Sequence, residues 1–487
     1  MSQHLTARRT KIVATLGPAS STPEILEKMI VAGLDVARLN FSHGTPDEHR
    51  ARARLVREIA ARHNRFVALL GDLQGPKIRI AQFTGHRIEL NEGEHFRFSV
   101  THPRDAGTRE VVAVDYPDLI KDCGAGDELL LDDGRVVMRV DATTADELQC
   151  TVLVGGPLSD HKGINRRGGG LTAPALTSKD KQDIQLAAEI GVDYLAVSFP
   201  RDAADMELAR RLRDEAGLPA WLIAKIERAE AVANDESLDA LILASDGVMV
   251  ARGDLGVEIG DAELVGIQKK IIAHARANNK IVITATQMME SMIHSPMPTR
   301  AEVSDVANAV LDSTDAVMLS AETAAGDYPV ETIQSMARIC LGAEKHPTST
   351  HSHHRIGQTF TRCDESTALA AMYTANHFPN VKAIISLTES GFTTLIMSRI
   401  RSSVPIFAFT PQPGTQARVA LFRGVQTIPF DPLDYPADKV SQAAVDELLR
   451  RNAVEPGDWV ILTKGDRYHA TGGTNTLKIL RVGDTLL

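Results

Sequence analysis

Short runs rich in β-branched and aliphatic residues alternate along the chain with longer runs whose apolar positions recur at three- and four-residue spacing. TKIVATLG predicts a strand, and STPEILEKMIVAG a helix with Pro23 near its start. LDVARLNFSHG and TPDEHRARARLVREIAARH repeat the pair, and FVALLGDLQGPKIRI opens a third strand. From about Ala81 to Asp160 the period drops to two: HFRFSV, EVVAV, DELLLDDGRVVMRV and ELQCTVLVGG are separated by Gly, Asp and Pro, which predicts a small all-β insertion. The earlier rhythm then resumes. SKDKQDIQLAAEIG predicts a helix, VDYLAVSFP a strand and AADMELARRLRDEAG a helix; AWLIAKIE and DGVMVARGD follow as strands. AELVGIQKKIIAHARANN, KIVITATQ, TRAEVSDVANAVLDST and DAVMLSAET complete the series as helix, strand, helix and strand.

Eight strands, most followed by a helix, predict an α/β fold, a (β/α)8 TIM barrel interrupted by the β insertion. A doubly wound open sheet is the alternative, but no GxGxxG follows the first strand. At HPTSTHSHHRIGQ the composition turns polar and His-rich, a linker or surface segment in preference to a metal site. Beyond it VKAIISLTES, VPIFAFTPQ, VQTIPFD and DWVILTKG alternate with helical stretches, predicting a separate C-terminal α/β domain. The expected division is a barrel over 1–80 and 161–345, a small β-barrel domain over 81–160 and a regulatory α/β domain over 346–487.

Composition narrows the classes. A net charge of −10 over 487 residues offers no general attraction to nucleic acid. The four cysteines, Cys123, Cys150, Cys340 and Cys363, form no CxxC pair, which argues against a zinc or disulfide framework. No signal peptide is predicted before TKIVATLGPAS, and no apolar stretch reaches the roughly 20 residues a membrane helix needs. A cytoplasmic protein with small-molecule partners is expected.

In an eight-stranded barrel the active site is built at the C-terminal ends of the strands. Strand two is expected to end in Arg38, Asn40, Ser42 and His43, strand three in Asp72, Lys77 and Arg79, and strand five in Lys225 and Glu227. Strand six is expected to end in Arg252, Gly253 and Asp254, strand seven in Thr284, Thr286 and Gln287, and strand eight in Ser320 and Glu322. Lys225 and Glu227 stand two apart, so one strand end presents both charges on the same face. Glu227 and Asp254 are hard oxygen donors of the kind that hold Mg2+ with water and substrate phosphate completing the shell. Lys225 and the arginines suit phosphate and a developing oxyanion, Gly253 allows close backbone approach to an anion, and Thr286 could relay a proton. No GxSxG, no catalytic cysteine and no Walker A motif accompanies them.

TKIVATLGPAS, RLNFSHG, GPKIRI, AKIE, DGVMVARGDLGVEI, ATQMMESMI, PTRAEVSDVANAVLDSTDAVMLSAETAAGDYPVE and the closing GGTNTLKI together resemble the pyruvate kinase family across nearly the whole chain. The resemblance implies a mobile inserted lid, a homotetramer, and phosphoryl transfer from phosphoenolpyruvate to ADP with Mg2+ or Mn2+, giving ATP and pyruvate. It implies that Lys225 steadies the transferring phosphoryl group and enolate oxygen, and that Glu227 and Asp254 hold the metal. Thr286 is implied in protonation of the enolate carbon, with Ser320 and Glu322 in support; Arg38 clamps phosphate, and the Gly253 and Asp254 backbone receives the carboxylate. Asn40, His43, Arg79 and Lys179 are implied near the nucleotide.

Many members of that family need K+, at positions matching Asn40, Ser42, Asp72 and Leu73, and carry glutamate where this chain has Lys77. Leu73 lacks the ligand hydroxyl and Lys77 brings its own positive charge, so K+ is expected not to be required. The loop LTESGFTTL, with Thr388, Ser390, Gly391 and Thr393, matches the family's effector loop. Glu389 stands where some fructose-1,6-bisphosphate-activated members carry lysine, which favours a sugar monophosphate or nucleotide monophosphate effector. Two other classes were weighed. A metal-dependent aldolase or lyase on the same barrel would leave Arg79 and Lys179 idle, and a non-catalytic sugar-phosphate binder would not need Lys225, Glu227, Asp254 and Thr286 together.

Overall fold

The computed structural model describes residues 8–350, 357–466 and 472–484. Eight parallel strands close on themselves: Lys11–Thr15, Val36–Asn40, Ala68–Asp72, Tyr194–Val197, Trp221–Ile226, Gly247–Ala251, Ile281–Ala285 and Ala316–Leu319. Each pairs with the next, and the eighth returns to the first through Lys11–Ala316 and Ile12–Val317. Nearly every residue of these strands is buried, because one face packs against helices and the other fills the barrel interior. Ile12, Leu39, Leu69, Leu222 and Val250 pack outward against the helices. Val13, Leu70, Tyr194, Ile223, Met249 and Ile283 fill the centre.

Threonine caps set several helix starts. Thr45 and Glu48 form a reciprocal capping box before Pro46–Arg62, Thr177 and Asp180 before Ser178–Ile190, and Thr299 and Glu302 before Arg300–Leu311. Two elements depart from the sequence expectation. A helix, Asp235–Ala244, capped by Asn234, separates strands five and six, where the pattern gave only a connection. The expected strand DGVMVARGD stops at Ala251, and Arg252 begins a helix that runs to Ile259. Gly253 and Asp254 therefore lie in a first helical turn, whose backbone N–H groups have no partner within the helix.

Between strands three and four stands the β unit. Its six-stranded sheet runs in the order Ile164–Arg166, Glu128–Leu131, Val136–Thr143, Glu147–Val154, His95–Ser99 and Val111–Ala113, around a core of Phe83, Phe96, Phe98, Met138 and Leu148. The strand Ile164–Arg166 lies past residue 160, and an isolated bridge joins Arg79 to Gly163 where the chain leaves and re-enters the barrel. The C-terminal sheet has five strands, in the order Val425–Pro429, Ile406–Thr410, Val381–Leu387, Trp459–Gly465 and Thr474–Arg481, the last antiparallel. Of the His-rich segment, residues 351–356 lie outside the described residues. Among the described residues no helix is long and apolar enough to cross a membrane.

Candidate functional site

Lys225, near the end of strand five, is the centre of a buried charge network. Its Nζ lies 3.0 Å from Glu227 Oε1 and 3.3 Å from Asp72 Oδ1, and donates to Ser198 Oγ at 2.8 Å. Burial alone would pull the ammonium pKa down, but Asp72 and Glu227 overcome it and the net shift is upward, so Lys225 keeps its charge. Asp72 is bound from its other side by Arg38, whose Nε donates at 2.6 Å, while Arg38 Nη1 donates to Thr15 Oγ1 at 2.8 Å. Asp72 is held below the usual carboxylate range: burial opposes this, and Arg38 and Lys225 outweigh it.

Glu227 is 1% exposed. Its Oε2 accepts from Phe199 N–H at 2.8 Å, and Phe199 holds a φ of 55°. Burial drives the carboxyl up to about 7; Lys225 opposes the rise and the Asp254 carboxylate adds to it. Asp254, in the helix that follows strand six, thus acts on Glu227 through its charge. Asp254 Oδ1 lies 3.1 Å from Lys77 Nζ.

Thr286, after strand seven, has φ 68°, an unusual backbone for a β-branched residue, and Gln287 follows at 52°. Arg252 holds this turn. Its Nη2 donates to Thr286 O at 2.7 Å and Gln287 O at 3.1 Å, and its Nη1 pairs with Asp305 at 2.7 Å. Arg252 is thus a scaffold for the loop and not a free rim cation. Thr286 Oγ1 donates to Ala285 O at 2.6 Å and accepts from Gly253 N–H at 2.8 Å. In strand eight's exit, Glu322 accepts from Ser320 N–H at 2.7 Å and Met289 N–H at 3.2 Å, with its pKa raised by burial. Thr284, expected at the rim, is fully buried and donates to Thr314 Oγ1 instead.

A cavity of about 580 Å³ opens beside this network, lined by Lys77, Gly253, Asp254, Thr286, Ser320 and Glu322 from the barrel and by Leu130, Asp133, Gly134 and Arg167 from the β unit. The residues expected near a nucleotide are spread differently. Asn40 Oδ1 accepts from Ser42 N–H at 3.1 Å, and the carbonyl of His43 contacts His49 Nε2 at 3.0 Å. Lys179 Nζ donates to Phe41 O at 2.7 Å, docking its helix on the same loop. Arg79 donates to His161 O at 3.0 Å, at the base of the β unit. None of Asn40, His43, Arg79 and Lys179 lines the cavity.

In the C-terminal domain, Thr388 Oγ1 accepts from Gly391 N–H at 3.0 Å, and Gly391 takes φ 80°. Ser390 Oγ accepts from Phe392 N–H at 3.4 Å. Thr393 does not face this turn: it is buried and contacts Thr474 Oγ1 at 2.8 Å.

Sequence reasoning missed strand four's contribution. Ser198 Oγ receives Lys225 Nζ and donates to Leu73 O at 2.7 Å, locking the lysine to strand three. The signal was SFP at the end of a strand, a hydroxyl and an aromatic residue before proline. Among the described residues no group of three or more His, Cys, Asp and Glu side chains is arranged as a metal cage. The pair Glu227 and Asp254 nevertheless fits a hard divalent ion that keeps water and substrate oxygens in its shell.

Comparison with known families adds a second line. Residues 7–333 match the model for the pyruvate kinase barrel domain and residues 365–480 that for the pyruvate kinase alpha/beta domain. Pyruvate kinase II of Salmonella typhimurium is 57% identical over 477 residues, covering 98% of this chain and 99% of its own. Pyruvate kinase of Haemophilus influenzae is 55% identical over 469 residues, 96% of this chain and 97% of its own. A pyruvate kinase of Mycobacterium tuberculosis is 40% identical over 477 residues, 98% of this chain and 99% of its own.

Proposed function

The chain belongs to the pyruvate kinase family, and we propose that Lys225, Glu227, Asp254 and Thr286 carry its chemistry. The activity is that of the family, phosphoryl transfer from phosphoenolpyruvate to ADP to give ATP and pyruvate, and it requires a divalent metal. The observation that carries the residue assignment is the buried Lys225 ammonium, held at the strand ends between Asp72 and Glu227.

Phosphoryl transfer asks the protein for positioning and charge more than for covalent participation. Lys225, kept protonated by two carboxylates, offers a preorganised positive charge to the transferring phosphoryl oxygens and the enolate oxygen. Glu227 and Asp254 would hold the metal, Mg2+ or Mn2+, which supplies charge neutralisation to phosphate and enolate when bound. The first turn of helix Arg252–Ile259 has backbone N–H groups without partners inside the helix; the Gly253 N–H donates to Thr286 Oγ1 and would exchange that bond for the substrate carboxylate, beside the Asp254 N–H. Thr286 Oγ1–H can turn from Ala285 O to a water that protonates the enolate carbon, the oxygen that gives up the proton regaining one from solvent. Ser320 and Glu322 support the adjoining wall, and Arg38 holds Asp72 while reaching toward phosphate. Asn40, His43, Arg79 and Lys179 are assigned to the nucleotide side, where the β unit would have to close on them.

Lys77 replaces K+ in this reading. Asp72 already has two cations, Arg38 and Lys225, Lys77 adds a third charge at Asp254, and Leu73 is buried and apolar. Asn40 Oδ1 takes the Ser42 N–H and the Asp72 oxygens take Arg38 and Lys225, so these positions carry no demand for the ion. For the effector we favour a sugar or nucleotide monophosphate at the Thr388–Gly391 turn, with Thr393 acting behind it through Thr474. A homotetramer in the cytoplasm completes the proposal.

The experiment is pyruvate formation from phosphoenolpyruvate and ADP with Mg2+ in K+-free buffer. Full activity without K+ is expected, strict dependence on ADP separates the reaction from lyase chemistry, and Lys225→Met should lower kcat by about 10³ or more. Lys77→Glu should create a dependence on KCl. An active Lys225→Met enzyme would remove the catalytic assignment, and a K+-indifferent Lys77→Glu enzyme the cation argument.

A further inference from the structure

Where the foot of the barrel meets the C-terminal domain, a small cavity of about 20 Å³ is lined by four arginines, Arg9, Arg276, Arg401 and Arg423, together with Ser313 and Ser398. No acidic residue is among its lining side chains. The guanidinium groups are instead spent on neutral acceptors. Arg9 donates to Ser349 O at 3.0 Å and Ser402 O at 2.5 Å, and Arg276 donates to Arg399 O at 2.5 Å. Arg401 donates to Ser313 Oγ at 2.7 Å and Thr348 O at 2.9 Å, and Arg423 to Thr10 Oγ1 and to Thr314 O at 3.2 Å.

Asp312, the carboxylate that acts on Arg401, pairs with Lys269 through Oδ1 at 2.6 Å and keeps its Oδ2 buried without a hydrogen-bond partner; the other two nearby carboxylates are committed elsewhere. Asp315 is bound by both Nη atoms of Arg399 and by two backbone N–H groups, those of Val282 and Arg423. Glu344 accepts from Arg9 N–H, Thr10 N–H and Thr10 Oγ1, and approaches only Arg9 Nε, at 3.6 Å. Among the described residues Arg276, Arg401 and Arg423 therefore form no ion pair. Arg423 is 7% exposed, and its Nη2 is buried without any hydrogen-bond partner. A buried guanidinium donor left unpaired is destabilising, and crowding like charges around it adds to that cost. The crowding is visible in Arg276, whose pKa falls to about 9 through burial and then the nearby Arg399 and Arg401.

We propose that this four-arginine cavity binds one small inorganic anion of halide size, which completes the junction between barrel and C-terminal domain. The size follows from the volume, which exceeds the roughly 10–15 Å³ that one water needs but leaves no room for a sugar phosphate. The charge follows from three unpaired guanidinium groups and an orphaned N–H. Contributions come from both sides, Arg9, Arg276 and Ser313 from the barrel and Ser398, Arg401 and Arg423 from the C-terminal domain, so the ion bonds the two together.

Ser313 provides the test. It has φ 71°, a conformation aspartate tolerates, and its side chain faces Arg401 in the cavity, so Ser313→Asp would install the missing negative charge covalently. Crystals of the wild-type protein grown with sodium bromide should show an anomalous peak within hydrogen-bonding range of Arg423 and Arg276, and Ser313→Asp crystals none. In solution the wild type should melt higher in sodium chloride than in sodium gluconate of equal ionic strength, whereas Ser313→Asp should melt at one temperature in both. Should Ser313→Asp fail to fold, Arg401→Gln, at a half-buried position, should still lose the bromide peak. A wild-type cavity without bromide, or variants with an undiminished chloride response, would overturn the site.

Discussion

Glu258 shows what burial does to a single carboxyl outside the chemistry. It lies 5% exposed beneath the β unit, accepts from Ala229 N–H at 2.8 Å and faces Asn165, with Glu230 and Arg228 nearby. Burial pushes its pKa up to about 7 from 4.5, the Ala229 bond opposes this, and Glu230 adds to the rise. Between those two values the folded chain holds a proton that the unfolded chain has released, so this group's contribution to stability falls as pH rises through that window and levels off above about 7. The whole span is worth at most about 3 kcal/mol. Glu258→Gln should therefore flatten the stability profile between pH 4.5 and 7 and raise the unfolding free energy at pH 8 by up to that amount. Urea melts at several pH values measure it; a variant with the wild-type slope would show that Glu258 is ionised in the folded protein throughout.

At the scale of elements, the same residue touches the turn by which the chain leaves the β unit, which is expected to act as its hinge. Gly168, Gly169 and Gly170 follow the last strand of the β unit with φ of 77°, 79° and 93°, and Gly168 N–H donates to Glu258 O at 3.0 Å. Gly170 N–H donates to Glu230, and a Cβ on Gly169 would run into that Glu230 carboxylate. Gly169→Ala should thus cost about 1–2 kcal/mol locally. Cleavage by trypsin after Arg166 or Arg167 should speed up roughly tenfold, and kcat should fall because the β unit no longer seats over the cavity. Unchanged proteolysis and kcat would mean that the turn is not the hinge. The glycine run itself was visible in the sequence, but not its meaning. What was legible were the elements with a clear period or a motif: the eight barrel strands, the four alternating segments of the β unit, and the Lys225–Glu227 pair. Asp235–Ala244 was missed because it is only ten residues long and is followed by SDG, which looks like a turn. Helix Arg252–Ile259 was missed because its first residues continue a strand without any capping side chain. The roles of Ser198 and Arg252 depend on contacts between strands far apart in the chain, which no local pattern encodes.

For the whole molecule, strand five ties the two ends of the argument together. Its head carries Lys225, and its foot, Trp221, stacks on Phe422 of the C-terminal domain at 5.7 Å with Arg418 over the same ring at 4.7 Å. Beside it, Arg399 Nη1 donates to Asp315 Oδ2 and to Lys280 O, both at 2.7 Å, and both charged partners are almost wholly buried. This ion pair crosses from the C-terminal domain to the residue just before strand eight and is expected to couple the unfolding of the two cores. Removing one member of a buried pair leaves the other desolvated and uncompensated, at a cost of about 3–5 kcal/mol. Asp315→Asn keeps the shape and removes the charge. Its expected signature in calorimetry is a split transition, the C-terminal domain unfolding below the barrel, where the wild type gives one. Replacing both partners, Asp315→Leu with Arg399→Met, should recover part of the loss, since Arg399 is no longer left uncompensated while the Val282 and Arg423 N–H groups stay without their acceptor. A single transition at the wild-type temperature in Asp315→Asn would place the coupling in the Trp221–Phe422 contact instead, because that is the other packed junction between the catalytic strand and the domain beneath it.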